Sequence, residues 1–384
     1  MKNKFIAKRY WKDHTTPMGA VDQRSKLYTN VIDLSLGDPD LNTDEGIIKA
    51  AFQDAMDGHT HYTDFRGDPE LRQEISHYYR DEFRALVDDS EVMVTASACL
   101  GMYLVLEAVL DPGDEVVLPA PYFTPYYQQV QMAGGVPVEL ETYEEENFQI
   151  DVKRLEESIN ERTRAIIVNS PRNPTGAVYS EETLQVIADI AIKRDLLIIA
   201  DEVNGALVFN GKFQSMMTIG DIRDRLVVIN TFSKDYIMTG WRVGNIIAPR
   251  EIIQICQQIN ENLVFTAPSI SQRAAIYALR NRKDILPATF DKYKERVFYA
   301  AERINQISWM SVVEPQGTFH LFINIKKSGL SSEKASEMIL DQAKVLTIPG
   351  NSFGRCGEGY LRIACTVGKS KLKEAFDRIE KIQI

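Results

Sequence analysis

Residues 165–202 have the sequence AIIVNSPRNPTGAVYSEETLQVIADIAIKRDLLIIADE, and this stretch decides the fold. It begins and ends with short apolar runs rich in β-branched residues, which predict strands buried on both faces. Between these runs, residues 181–193 have the spacing of an amphipathic helix, and Ser180 precedes them as a predicted N-cap. A strand, a helix and a second strand in this order predict an open α/β sheet.

Similar apolar runs lie on either side of this stretch, at residues 92–94, 115–118 and 226–229. We therefore expect an α/β fold in which a large domain has a mostly parallel central sheet sandwiched by helices. From about residue 276 the pattern changes to long polar helices around brief strands near 319–325 and 359–364. This second pattern predicts a smaller α+β domain.

The length of 384 residues is more than one hydrophobic core usually serves, so we expect more than one domain. Residues 1–44 are predicted to form an N-terminal arm and part of the small domain. Residues 45–275 are predicted to form the large domain, and residues 276–384 the rest of the small, C-terminal domain.

Composition excludes several classes of partner. Asp plus Glu number 54 against 44 Lys plus Arg, and the net charge of -10 opposes binding to nucleic acid or to an anionic membrane surface. No stretch approaches the roughly 20 apolar residues of a membrane span. The four cysteines form no CxxC pair and predict reduced thiols in a cytoplasmic protein. His59 and His61 lack a third ligand nearby, so no metal site is expected.

Polar side chains follow three of the apolar runs. Asn173 lies in the segment after the run that ends at residue 168, Asp201 follows the run that ends at residue 200, and Lys234 follows the run that ends at residue 229. Ligands of open α/β sheets bind beyond the carboxyl ends of the strands. Each residue alone would be an ordinary solvated strand end, but together they predict an amide, a carboxylate and an amine at one rim.

Four short motifs occur in a fixed order: NPTG at 173–176, ADE at 200–202, SK at 233–234 and GWRVG at 240–244. In these motifs, and over nearly its whole length, the chain resembles the class I and II aminotransferases of pyridoxal-phosphate (PLP) fold type I. The resemblance implies an enzyme that moves an amino group between an amino acid and a 2-oxo acid. It also implies a ping-pong mechanism through an aldimine of PLP on Lys234.

The same resemblance assigns roles around the PLP ring. Lys234 is similar to the Schiff-base lysine, whose pKa must be lowered by desolvation and by nearby positive charge, of which Arg242 would supply part. Asp201 resembles the carboxylate that keeps the ring nitrogen protonated. Asn173 resembles the residue that bonds the ring oxygen O3′, and Phe123 the aromatic that stacks on the ring.

A phosphate site is implied where a predicted helix, residues 100–110, begins, because helix N-termini bind anions. The resemblance also implies a hydroxyl donor and a guanidinium clamp for this phosphate. The residues concerned are Ser97, Ala98, Cys99, Thr231, Ser233 and Arg242. Tyr62 resembles a tyrosine that reaches the phosphate of the neighbouring subunit, which implies a homodimer with shared active sites.

The substrate is expected to contact three residues. Arg362 resembles the clamp for the substrate α-carboxylate, a role that suits the planar guanidinium fork. Gly37 resembles the glycine that closes over the substrate, and Asn173 is also expected to contact the substrate. Arg66, His14 and His320 are candidates for the side-chain pocket of the substrate.

Four positions depart from the family pattern: Ser97 and Cys99 in the phosphate loop, where no backbone N–H is lost, and Asn204 and His320. Asn204 stands where many relatives have a tyrosine that also bonds O3′, so an amide N–H would have to replace the phenol. His320 stands where a tyrosine is frequent. The changes at Asn204 and His320 lie next to residues with an implied role, and they leave open the pH range of activity and the amino donor.

Two other functions remain open at this point. A C–S β-lyase or a decarboxylase on the same scaffold would share Lys234, Asp201 and Arg242, although the segment 36–40 favours an aminotransferase. A non-catalytic ligand-sensing domain would need an attached DNA-binding domain. Residues before position 45 show no helix-turn-helix pattern, which disfavours that function.

Overall fold

The computed structural model describes residues 4–7, 19 and 23–384. Within these residues the strands are β1 (Ile32–Asp33), β2 (Val92–Thr95), β3 (Glu115–Ala120), β4 (Val136–Glu141), β5 (Thr163–Asn169), β6 (Leu197–Asp201), β7 (Leu226–Thr231), β8 (Gly244–Ile247), β9 (His320–Asn324), β10 (Val345–Leu346), β11 (Ile348–Pro349) and β12 (Tyr360–Ala364).

The α-helices of the segment 45–384 are α1 (Glu45–Met56), α2 (Pro69–Phe83), α3 (Ala98–Val109), α4 (Pro125–Met132), α5 (Val152–Ser158), α6 (Glu181–Arg194), α7 (Arg250–Leu263), α8 (Ser269–Arg280), α9 (Arg282–Gln306), α10 (Ser332–Ala343) and α11 (Lys369–Ile379). The predicted N-cap of α6 is present, because the Ser180 hydroxyl accepts a hydrogen bond from the Thr183 N–H at 3.1 Å.

A seven-stranded sheet organises the large domain, in the order β2-β8-β7-β6-β5-β3-β4. All neighbours are parallel except β8, which is antiparallel to both β2 and β7. The predicted α/β fold with a mostly parallel sheet is therefore confirmed. Strands β5, β6 and β7 lie side by side and end at Asn169, Asp201 and Thr231, so these three residues meet at one edge.

A smaller antiparallel sheet, in the order β11-β12-β9, lies beside the large one. Its core is a separate hydrophobic cluster that includes Leu34, Tyr293, Phe319, Ile363 and Phe376. The segment before residue 45 contributes β1, which pairs in parallel with β10. These contacts support the proposed three-segment division, which remains a proposal.

Helix α8 bears on where the large domain ends. Its buried residues Ala274, Ile276 and Leu279 belong to the hydrophobic cluster of the large sheet. We therefore propose that the large domain extends through this helix to Arg280, a few residues beyond the predicted boundary at 275.

No helix of the described segments 4–7, 19 and 23–384 is long and apolar enough to cross a membrane. The same residues contain no group of three His, Cys, Asp or Glu side chains that could hold a metal ion.

Candidate active site

A cavity of about 690 Å³ lies where the carboxyl edge of the large sheet faces the small sheet. It brings together nearly all of the residues singled out from the sequence. Those that line it are Gly37, Ser97, Ala98, Cys99, Phe123, Asn173, Asp201, Asn204, Thr231, Ser233, Lys234, Arg242 and Arg362, together with His320.

The amine of Lys234 lies inside this cavity. Its Nζ donates a hydrogen bond to the Gly37 carbonyl oxygen at 2.7 Å. Burial lowers the pKa of Lys234 to about 8; Asp38 opposes this shift, and the positive charges of Arg362 and Arg242 add to it. The amine is therefore uncharged in an appreciable fraction of molecules near neutral pH, which is the form that reacts with a carbonyl carbon.

Asp201 lies at the end of β6, where it is held by two donors. The Tyr126 hydroxyl donates to Oδ2, and the Val203 N–H donates to Oδ1 at 3.2 Å. Burial raises the pKa of Asp201 to about 6, and these two hydrogen bonds limit the rise. The carboxyl is therefore mainly an anion at neutral pH, as a partner for a protonated ring nitrogen must be.

Two asparagines connect Asp201 to the opposite wall. Asn169 Nδ2 donates to the Asp201 carbonyl oxygen at 3.1 Å, and Asn169 Oδ1 accepts from the Asn173 N–H at 2.9 Å. Asn173 Oδ1 in turn accepts from Arg362 Nη1 at 3.2 Å. The orientation of Asn173 is thereby fixed from both sides of the cavity.

Donors for an anion gather at one end of the cavity. Ser97 caps α3, because its Oγ accepts from the Leu100 N–H at 3.0 Å, and Ala98 and Cys99 form the first turn, whose N–H groups have no acceptor within the helix. A Cβ on Gly244 would lie 2.7 Å from the Ala98 nitrogen, so only glycine lets β8 approach the helix end this closely.

Hydroxyls and a cation complete this end. Thr231 Oγ1 and Ser233 Oγ are 3.0 Å apart and both line the cavity. Arg242 is exposed at the rim, where its Nη1 donates to the Thr239 carbonyl oxygen at 2.8 Å. No carboxylate of the described residues forms an ion pair with Arg242, so its charge is available to a ligand.

Arg362, on β12, is a buried cation that forms no ion pair with a carboxylate of the described residues. Its Nη2 donates to the Ser35 carbonyl oxygen, and its Nε has no hydrogen-bond partner. Burial lowers the pKa of Arg362 to about 10, and the charge of Asp33 opposes that shift. A buried guanidinium without an ion-pair partner is costly, and a carboxylate ligand would offset that cost.

His320 and Asn204 also line the cavity with unsatisfied atoms. Nδ1 of His320 and Oδ1 of Asn204 are buried and have no hydrogen-bond partner. Burial, followed by the charges of Arg362 and Lys234, holds the pKa of His320 well below its usual value, so the imidazole is neutral. Asn204 Nδ2 lies 3.5 Å from the Pro171 carbonyl oxygen, at the limit of a hydrogen bond.

Two described candidate residues do not line the cavity of this chain. Tyr62 is 80% exposed and packs edge-on against Phe265, with ring centroids 4.7 Å apart. Arg66, a candidate for the side-chain pocket, instead bonds to the carboxylate of Asp89 at 3.2 Å. His14 lies outside the described residues.

Tyr126, Asn169 and Ser35 hold functional side chains but had not been predicted. Asn169 is the last residue of a predicted strand, and its position beside Asp201 offered a signal. Tyr126 lies in a short helix without a motif, and its contact with Asp201 spans 75 residues of sequence. Ser35 contributes only a backbone carbonyl to Arg362, which no side-chain pattern reveals.

The chain belongs to the class I and II aminotransferases, since the sequence profile of that family matches residues 29–379. It is 37% identical to an aspartate aminotransferase of Pyrococcus horikoshii over 98% of this chain and 97% of that one. It is 36% identical to aromatic-amino-acid aminotransferase 2 of Thermococcus litoralis, over 92% and 91% of the two chains.

A solved structure of a Thermus thermophilus aspartate aminotransferase single mutant superposes with a TM-score of 0.94 at 29% identity, covering 100% of both chains. The family, the fold and the aminotransferase function predicted from the four motifs are thus confirmed. Members of this family depend on PLP.

Proposed function

We propose that this aminotransferase carries PLP on Lys234 and exchanges the amino group of an amino acid with a 2-oxo acid. The observation that carries the proposal is that a buried amine with a lowered pKa shares one cavity with the anion of Asp201 and the free cation of Arg242. When bound, PLP supplies an aldehyde and an electron-accepting ring.

The residues of the cavity fit the chemical groups of PLP. The first turn of α3, the Thr231 hydroxyl and Arg242 offer donors to its phosphate, and Asp201 offers an acceptor to its ring nitrogen. A Cβ on Gly37 would lie 3.3 Å from Phe319 and 3.5 Å from the Lys234 amine. Glycine therefore leaves the space beside the amine free for the reacting atoms.

Each residue would have one task in the reaction. Lys234 Nζ would move the proton that leaves the substrate Cα. Asp201 would hold a proton on the ring nitrogen, and Arg362 would orient the substrate through its α-carboxylate. Because the second substrate, a 2-oxo acid, reverses these steps in the same cavity, the kinetics would be ping-pong.

For the amino donor we propose aspartate or an aromatic amino acid. The support is that the chain is similar to curated aminotransferases of both kinds. The test is a panel of amino donors with 2-oxoglutarate or pyruvate as acceptor, followed by the visible spectrum and by formation of the 2-oxo acid. If no donor changes the spectrum and a cysteine conjugate instead yields pyruvate and ammonia, the lyase alternative would replace this proposal.

We also propose that two copies of the chain share their active sites. Tyr62, Leu263, Val264 and Phe265 are exposed apolar side chains at 40–80% exposure, and Tyr62 does not line the cavity of its own chain. A second copy that covers them would bury apolar surface and would place Tyr62 beside the phosphate site of its partner.

Hybrid dimers test this sharing directly. Lys234→Ala and Tyr62→Ala chains would each form a defective homodimer. A mixed dimer would contain one intact site, which combines Lys234 of one chain with Tyr62 of the other. Mixing should therefore restore part of the activity, whereas unchanged activity after verified subunit exchange would show that the site lies within one chain.

For the location we propose the cytoplasm. All four cysteines are free, and Cys256 and Cys365 are buried. Unpaired, buried thiols are typical of proteins that stay in a reducing compartment.

A further inference from the structure

Arg172 is a buried cation that the proposed reaction does not use. It is 2% exposed. Its Nη1 donates to the Phe148 carbonyl oxygen at 2.7 Å and to Thr142 Oγ1 at 3.0 Å. Its Nη2 donates to the carbonyl oxygens of Pro119 at 2.9 Å and Pro121 at 2.8 Å. All four acceptors are neutral, and no carboxylate of the described residues forms an ion pair with it.

Burying a charge on neutral acceptors alone costs free energy, so the arrangement needs a reason. The positions of the acceptors indicate this reason. Pro119 and Pro121 lie in the segment that leads directly to Phe123 and Tyr126. Both aromatic residues line the active-site cavity. One rigid guanidinium fork thus fixes the backbone that carries the aromatic wall.

Arg172 also lies behind the residues that hold Asp201. It lines a very small internal space together with Tyr126 and Asn169, the two side chains that bond to Asp201. Burial and the charge of Asp201 raise the pKa of Tyr126, and the positive charge of Arg172 opposes that rise. The nearby cation therefore strengthens the Tyr126 hydroxyl as a donor.

We propose that Arg172 is a positioning residue for the cofactor, which acts through Tyr126 to fix Asp201 and, through the 119–126 segment, the aromatic wall of the cavity. This inference rests on the proposed function, because it assumes that Asp201 receives the ring nitrogen of PLP. Arg172 does not line the active-site cavity, so it would touch neither PLP nor the substrate.

A double-mutant cycle on PLP affinity tests the path through Tyr126. Apo-protein of the wild type, Arg172→Met, Tyr126→Phe and the double variant would be titrated with PLP. Each single change removes hydrogen bonds that involve a charged group, so each single variant should bind PLP about tenfold or more weakly than the wild type. If the two residues act as one unit, the affinity of the double variant for PLP should be about the same as that of the single variant with the lower affinity.

Three results would overturn the inference or its basis, and they are distinct. Wild-type affinity in Arg172→Met would remove the positioning role. Fully additive effects would remove the path through Tyr126. Failure of the wild type itself to bind PLP would refute the proposed function instead.

A second readout distinguishes a positioning role of Arg172 from a purely structural role. The visible absorbance of bound cofactor would be titrated with pH in Arg172→Met and in Arg172→Lys, which keeps the charge but cannot reach all four acceptors. Arg303→Met serves as the control, because Arg303 pairs with Asp377 at 2.8 Å on the outer helices of the small domain. Both Arg172 variants should shift the midpoint, and Arg303→Met should lower thermal stability only. Identical midpoints in all of these proteins would contradict the inference.

Discussion

The two walls of the cavity differ in how far their buried charged groups are satisfied, although the large-sheet wall also has the unpartnered Oδ1 of Asn204 and the exposed, unpaired Arg242. On the wall formed by the large sheet, Asp201 receives hydrogen bonds from Tyr126 and Val203, and its carbonyl receives one from Asn169. On the wall formed by the small sheet, Arg362 forms no ion pair with a carboxylate of the described residues, and His320 has a buried nitrogen without a partner. The first wall suits a resident group that stays bound, and the second suits a ligand that enters and leaves.

The largest expected effect comes from removing Lys234, which would both carry PLP and move the proton of the substrate. Lys234→Ala should abolish the visible absorption of bound cofactor and lower turnover by roughly 10²-fold to 10⁴-fold, because the proton-transfer group is lost. Absorption spectra and steady-state kinetics measure both quantities. Lys212→Ala, at an exposed position outside the cavity, should change neither.

Arg362→Met should show that the small-sheet wall serves the substrate and not the resident cofactor. The variant should raise KM for amino acid and for 2-oxo acid by about tenfold to a hundredfold, since a charge-assisted contact is lost in both half-reactions. The affinity for PLP should stay close to that of the wild type. A large loss of PLP affinity with unchanged KM values would show that Arg362 serves the resident group instead.

The pKa of about 8 for Lys234 predicts how fast apo-protein takes up PLP. Only the uncharged amine reacts, and lowering the pKa increases its fraction at neutral pH. The rate should therefore rise by about tenfold between pH 7 and pH 9 and then level off. Stopped-flow absorbance measures this rate of PLP uptake. A rate that keeps rising towards the ordinary lysine pKa of 10.5 would contradict the burial of this amine.

The smallest expected effect is an absence of titration at His320. Because burial and the charges of Arg362 and Lys234 hold the pKa of His320 well below its usual value, its imidazole should stay neutral as the pH falls from 8 to 6. NMR of the ring signals in the apo-protein follows this directly, with free histidine in the same buffer as the titrating control. A midpoint near the usual value would mean that the small-sheet wall is open to water.

The sequence predicted the parts of the site that follow a local rule. Asp201 and Lys234 come directly after apolar strands, so their meeting at one edge follows from the parallel sheet. The strands β4 and β8 of the large sheet escaped prediction because neither is a continuous apolar run: β4 has the sequence VPVELE, and β8 begins with Gly244 and Asn245. The partners Tyr126 and Arg172 depend on contacts between distant segments, which a single sequence does not encode as a pattern.

The wall formed by the small sheet shows the same limit of prediction from the sequence. Arg362 was predicted from a motif, but that it is buried without an ion-pair partner follows only from how the small sheet places β12 beside Ser35 and Asn173. The position of Tyr62 outside the cavity of its own chain likewise could not be derived from residue spacing.

The most direct test of the account is to locate the bound cofactor chemically. Holo-protein would be reduced with borohydride, digested and mapped by mass spectrometry. We predict that the phosphopyridoxyl group is found on the peptide that contains Lys234 and that it is absent from the Lys234→Ala protein. A phosphopyridoxyl group on another lysine, with Lys234 unmodified, would contradict the assignment of this cavity as the active site.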